Sequence, residues 1–459
     1  MTYINKRFII ILQIIILLLL INVCLKASGT DWSITTLDNP APGYFRFDFS
    51  PPSYFFLVDN YGNKQFLDSI NPQPSIYNFL LRDGNWISYG ITKYYLFNQD
   101  RQLIGSIPVP SNYVIDFHAV EILTNGHYLI LCDTILDIDL SSIVPNGQKH
   151  AKILTNNLVE IDTSGRIYWE WKAYDHLKIT DVTPDIDLTQ LSIDFTHVNS
   201  FAEDKDSNIL ISFKNLDEIT KINKTTGQIM WRMGGSMCKN NQFTFKNDNI
   251  NGFIGFSHQH SIAILPNGNL LMYDNGGMRN TQFSRAVEYQ IDQINKTATK
   301  IWDYGNSPPI FQSDQGSVFR LPNGNTLINW GSKQITEVRP DNSKAFELTI
   351  SAPNLIYKAY KLVTRMNAVS IAISSPGDYN FNDNNFTTGI NLSISSLTGS
   401  GLTSIEKHNY APPTGDYLDS DFTFIYPYRW VFSQNGISNI SGVIKININS
   451  IKKLENPYR

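Results

Sequence analysis

The chain has 459 residues, enough for about three ordinary domains or for one large repeat architecture with a smaller companion. Apolar residues make up 42%, charged residues 17% and aromatic residues 12%, which excludes a charge-driven disordered protein and fits a β-rich globular one. Formal net charge is −4 and no run of Lys and Arg occurs, which excludes a nucleic-acid partner.

Residues 1–29 read as an export signal: Lys6-Arg7 precedes an apolar run from Phe8 to Leu25, broken only by Gln13 and Asn22, and Ala27-Ser28-Gly29 supplies the small residues of a cleavage site. The run is 18 residues long and touches the lower limit of a membrane span, so an uncleaved anchor is the alternative. In both cases the remainder is secreted, lumenal or extracellular, and a membrane enters only through that segment. Acceptor sequons at Asn223, Asn295, Asn385, Asn391 and Asn439 fit a glycoprotein. With Cys24 removed, Cys132 and Cys238 form either one disulfide or two buried thiols.

From residue 30 to 365 the chain repeats. SGRIYWEW around Trp169, TGQIMWRMGG around Trp231 and TATKIWDYGN around Trp302 share a turn followed by an apolar-Trp strand. Between them fall TNGHYLIL near Gly126, KDSNILIS near Asn208, LPNGNLLMY near Gly268 and LPNGNTLINW near Gly324, the last two 56 residues apart. Each unit is strand, turn, strand and a further hairpin, the content of a four-stranded propeller blade. The 336 residues of this region at a spacing of 56 make six blades, whereas units of about 42 residues would make eight. We read a six-bladed β-propeller, with Leu136 to Asn157 as an insertion between units. From Ser374 the texture changes to alternating segments such as INLSISSL and GVIKININSI, and residues 374–459 suffice for a small β-sandwich; the whole is all-β.

Aligning the units on their first turn gives the histidines a register. His118 and His260 each lie eight residues before the turn glycine, Gly126 and Gly268, and His197 lies eleven before Asn208, whose turn is longer. Three consecutive units thus place an imidazole in the strand entering the hairpin, and innermost strands of a propeller converge on one axis. His258 and His260, two apart, would share a strand face; we read one as aimed at the axis and the other as support rather than as a metal pair. Arg279, in MYDNGGMR, lies one hairpin beyond His260, and a guanidinium beside imidazoles suits a tetrahedral oxyanion.

DFTHVNS, FSHQHS, MYDNGGMR, TGQIMWRMGG and QGSVFRLPNGNTLINWG followed by ITEV resemble the arylsulfotransferase family, the type that needs no phosphoadenosine donor, over roughly residues 110 to 365. The resemblance implies a six-bladed propeller that moves a sulfuryl group from an aryl sulfate ester to a phenol, through a transiently sulfated histidine and without a cofactor. Residue by residue it places His197, His260 and Arg279 in the catalytic set, and we add His118, His258 and Asn199 as substrate-binding. The family's sulfate-accepting histidine belongs to a later blade, where this chain has Gly316 in Asp314-Gln315-Gly316-Ser317, with no histidine between His260 and His408. Two other readings stand beside the transferase. One is a non-catalytic secreted propeller that binds a sulfated or phenolic ligand or a protein; the other is a quinone-cofactor dehydrogenase, whose docking motifs the apolar-Trp turns resemble.

Overall fold

The computed structural model describes residues 32–41, 43–49, 54–60, 62, 64–69, 78–98, 103–331, 333–351, 356–362, 368–382, 387–408 and 429–446. The expected export signal and the sequon at Asn385 lie outside them. Six sheets, each built on four antiparallel strands, follow one another along the chain, and those of blades three and five add a short parallel strand. Their innermost strands are Ala359–Leu362, Asn78–Leu80, Val114–Ile122, Val198–Glu203, His260–Ile264 and Ser317–Arg320, one for each of blades one to six. The turns after the third, fifth and sixth of these carry Gly126, Gly268 and Gly324 at φ of 83°, 92° and 90°, a conformation that glycine adopts without steric cost.

Strands such as Ile209–Phe213 and Leu270–Asp274 are buried at every residue, since each sheet is covered on both faces by its neighbours. Apolar layers fill all six gaps. Trp86, Phe97 and Tyr360 join blades one and two; Ile87, Ile115 and Ile130 join two and three; Leu129, Phe201 and Ile211 join three and four. Met233 and Met272 join four and five, Tyr273 and Trp330 join five and six, and Phe45 and Phe346 join six and one. The circuit is therefore complete, which removes the free sheet edges an open array would leave.

Closure uses both ends of the repeat region. Trp32–Leu37 pairs with Lys344–Ile350 as the outermost strand of blade six, and Ala359–Leu362 pairs with Tyr44–Phe49 as the innermost strand of blade one. A fully buried ion pair crosses the same seam: Lys361 Nζ lies 2.6 Å from Glu337 Oε2, while Glu337 Oε1 accepts from the Ala41 N–H and from Asn325. Removing one partner of such a pair costs about 3–5 kcal/mol.

Leu136 to Asn157 is not an insertion between units. Tyr128–Ile138 and Ala151–Ile161 form one long hairpin in blade three, paired from Tyr128↔Ile161 to Ile138↔Ala151, so only residues 139–150 connect them. Its alternating far end departs from the compact blade pattern because it projects beyond its neighbours. Beyond the propeller, Ala368–Ile373, Gly377–Asn382 and Arg429–Ile446 all pair with the long strand Thr387–His408, so the described part of the expected sandwich is a single sheet. Cys132 and Cys238 are free buried thiols in different blades, not a disulfide. Among the described residues helix is limited to three single 3-10 turns, and no helix is long and apolar enough to cross a membrane. Asn295 and Asn439 are exposed, while Asn223 and Asn391 are half-buried.

Candidate active site

The histidine register becomes geometry through irregular backbone at the start of three adjacent inner strands. In blade three, Ile115 opposes Cys132 and Val120 opposes Ile130, so residues 116–119 bulge opposite Leu131 and carry His118 outward. In blade four the pairing slips between Val198 and Ser200, directly after His197, which has φ 43°. In blade five it slips between His260 and Ala263, where Ser261 has φ 55°. Bulges re-aim side chains at barrel rims and sites, and positive φ outside glycine concentrates there.

His118 and His197 come together, their ring centroids 5.1 Å apart. Each is oriented by a carboxylate close before it in sequence: Asp116 Oδ1 lies 2.7 Å from His118 Nδ1, and Asp194 Oδ2 bonds His197 Nδ1. A carboxylate can only accept, so both Nδ1 atoms carry a proton and both Nε2 atoms are left for other work. Burial works to raise the Asp116 pKa, but the hydrogen bonds and charge of His118 outweigh it and hold it below the usual carboxylate value. Aromatic rings frame His118: Phe117 stacks on it at 4.2 Å, and Tyr357 sits edge-on at 5.8 Å while its hydroxyl donates to the His118 carbonyl.

His260 is 2% exposed, and its tautomer follows from its neighbours. Its Nδ1 faces two oxygens, Asn275 Oδ1 at 2.8 Å and the His258 carbonyl at 3.0 Å. The Asn275 amide cannot be reversed, because its Nδ2 donates to the carbonyls of Gln312 at 2.7 Å and Gln315 at 2.8 Å. Nδ1 is therefore the protonated nitrogen of His260. Nε2 keeps a lone pair, and it is buried without a hydrogen-bond partner. Burial, followed by the positive charges of His197, Lys214 and His118, holds the His260 pKa well below the usual histidine value, against the opposing effect of the Asn275 bond. The ring is therefore held in its neutral form.

The other expected site residues are engaged elsewhere. Arg279 is buried, with Nη2 bonded to Asp274 and Nη1 donating to the Phe283 carbonyl at 2.9 Å; it meets the imidazoles only indirectly, because Asp274 adjoins Asn275. Asn199 Nδ2 donates to the Gln259 carbonyl at 2.7 Å and braces blade four to blade five. His258 has φ 53° and precedes the strand, so it does not share a face with His260. Its Nε2 lies 3.3 Å from Asp185 Oδ2, its ring packs on Gly277, and its backbone N–H donates to Asp217. Sequence reasoning missed Asp116, Asp194 and Lys214; the pairs Asp116-x-His118 and Asp194-x-x-His197 were the available signal.

Gly316, at the register position of the family's sulfate-accepting histidine, has φ 113°, and a Cβ there would lie 2.3 Å from the Tyr273 ring. The close approach of backbone to ring leaves no room for a side chain at that place.

Among curated proteins the chain is 23% identical over 409 residues to arylsulfate sulfotransferase AssT of Escherichia coli O6:H1, with 68% of this chain and 64% of that protein covered. AssT of Lelliottia amnigena is also 23% identical, over 392 residues and with the same coverage. The chain thus spans slightly under two thirds of the length of these relatives. Solved structures similar to it include a protein of unknown function from Bacteroides caccae, at TM-score 0.43, 12% identity and coverage of 70% of this chain and 99% of that one. The Cps50 (Swd1) β-propeller domain of Myceliophteria thermophila aligns at TM-score 0.39 and 8% identity, with coverage of 70% and 90%. The family model described as Arylsulfotransferase (ASST) matches residues 22–371, well over half of the sequence, and the chain belongs to the arylsulfotransferase family.

Proposed function

We propose that the protein transfers a sulfuryl group from an aryl sulfate ester to a phenol, with His260 as the sulfated residue. The observation that carries this reading is the unpartnered, buried Nε2 of His260, opposite an Nδ1 that two oxygens fix as protonated. In the first step Nε2 attacks sulfur, the bond from sulfur to the aryl oxygen breaks, and the leaving phenoxide takes a proton from Nε2 of protonated His118 or His197. In the second step an acceptor phenol gives its proton back to that nitrogen, its oxygen attacks sulfur, the N–S bond breaks, and neutral His260 returns. A covalent intermediate divides one hard displacement into two easier ones. The transition state spreads charge over the sulfuryl oxygens, so positive groups placed around them lower the barrier. Phe117 and Tyr357 offer faces for an aromatic ring beside His118.

In this reading Arg279 supports the site through Asp274 and the Gly276-Gly277 turn rather than gripping sulfate, and Asn199 and His258 hold the inner strands. The test is a chromogenic aryl sulfate with and without a phenol. Acceptor-dependent release that drops to background in His260→Asn is expected; release unchanged in that variant refutes the assignment. The second reading, a non-catalytic propeller binding a sulfated or phenolic ligand, is favoured by Gly316. It predicts thermal stabilisation by the ester with no release at all.

A further inference from the structure

Lys214 opens the 3-10 turn Lys214–Leu216 that follows the second strand of blade four. Its backbone N–H donates to the His197 carbonyl at 3.1 Å, so its backbone is tied to one of the three imidazoles. Its ammonium donates to Asn215 Oδ1 at 3.3 Å. That amide is itself oriented, because the buried Asn215 directs Nδ2 to the Asp194 carbonyl at 2.7 Å and so presents its oxygen to the lysine. A neutral amide is a weak partner for a half-buried ammonium.

Many other half-buried or buried cations of the propeller are paired with acids, whereas among the described residues Lys358, like Lys214, is not and lies over the Phe79 and Tyr357 rings. Lys221 meets Asp204 and Asp206, Lys361 meets Glu337, Arg232 meets Asp181 and Glu218, Arg285 meets Asp248 and Asp274, and Arg279 meets Asp274. Among the described residues Lys214 has no carboxylate within ion-pair distance, although Asn215 ties its turn to the Asp194 backbone. The carboxylates of Asp194 and Asp116 face the Nδ1 sides of His197 and His118. The charge of Lys214 reaches His260. Lys214 thus holds an ammonium without an ion-pair partner on the turn bonded to His197 and within electrostatic reach of His260, an arrangement that an anion completes.

We infer that Lys214 is the residue that binds the sulfuryl oxygens, as the anion clamp of this site in place of Arg279. The inference deepens the sulfotransferase reading and rests on it for the identity of the ester. The ligand class is a singly charged tetrahedral oxyanion ester. An ammonium on a flexible stem suits it, because its three donors can follow the oxygens as sulfur passes from aryl oxygen to Nε2.

The test uses the full chain and two probes: inorganic sulfate, for binding alone, and a chromogenic aryl sulfate with a phenol, for turnover. Lys214→Met is expected to weaken sulfate binding and to raise the donor KM by about tenfold or more, with the melting temperature retained. Lys214→Arg, which keeps the charge, is expected to recover most of both and tests the idea even if the methionine variant folds poorly. Sulfate binding as tight in Lys214→Met as in the parent protein overturns the inference, as does a parent protein that binds no sulfate. If sulfate binds through Lys214 while no aryl sulfate is turned over, the clamp stands and the transferase reading fails.

Discussion

Asn275→Ala separates the work of orienting His260 from the work of reaction. Asn275 supplies one of two acceptors to His260 Nδ1, and the His258 carbonyl at 3.0 Å remains when it is removed. Loss of one neutral hydrogen bond of this kind is worth about 0.5–1.5 kcal/mol, so turnover should fall by roughly two- to twelvefold rather than collapse. Stability should fall further, because the carbonyls of Gln312 and Gln315 both lose their Asn275 donor, at about 1–3 kcal/mol for each one that water fails to reach. Asn275→Asp makes the opposite trade. Its carboxylate still accepts from Nδ1 and recovers the rate, while its lack of donors sets negative charge against two carbonyls and lowers the melting temperature more than alanine does. The assay pairs acceptor-dependent release from an aryl sulfate with thermal unfolding of the same preparations. A rate untouched by alanine in a protein of unchanged melting temperature would refute the tautomer argument.

The remaining predictions probe separate parts of the account. Arg279→Ala leaves Asp274 with Arg285 as its remaining cation and should cost stability toward the low end of about 3–5 kcal/mol, measured by denaturant unfolding; unchanged stability would contradict the pairing seen here. His118→Asn or His197→Asn, whichever supplies the proton to the leaving group, should slow transfer from esters of weakly acidic phenols by roughly 100-fold or more, and much less from nitrophenyl esters, whose leaving group needs no proton. An equal loss for both esters argues against a general acid. Burial, then the charge of Asp116, raises the Asp133 carboxyl to about 8. The native state therefore keeps a proton that the unfolded chain releases near pH 4, so this group's contribution to stability declines as pH rises through that window. Asp133→Asn should flatten that decline in pH-dependent unfolding, and an unaltered slope would deny the shift.

Much of the frame is visible in local chemistry. Asn-Gly turns and apolar-Trp strands mark where the sheets of blades three to six reverse, and both need only neighbouring residues to take shape. The meeting of His118 and His197 follows from the same register, because one position in a repeat becomes one height on an axis. What local pattern could not show is which oxygen or carboxylate each side chain finds. Arg279 meets Asp274 across a turn that glycine at 276, with φ 70°, makes tight. His258 leaves the strand face because its φ is positive, which alternation rules do not anticipate. Lys214 carries no motif at all; its place depends on a turn that brings its backbone onto His197. Leu136 to Asn157 resembled an insertion because its strands outrun the blades beside them.

Between donor and acceptor the sulfuryl group of the proposed cycle rests on His260. Treating the protein with an aryl sulfate alone, then mapping its peptides by mass, should find one sulfuryl group on the peptide that contains His260, and adding a phenol should discharge it. A group retained on His118, His197 or another residue, or sustained transfer with none retained on His260 when the donor is supplied alone, would contradict it.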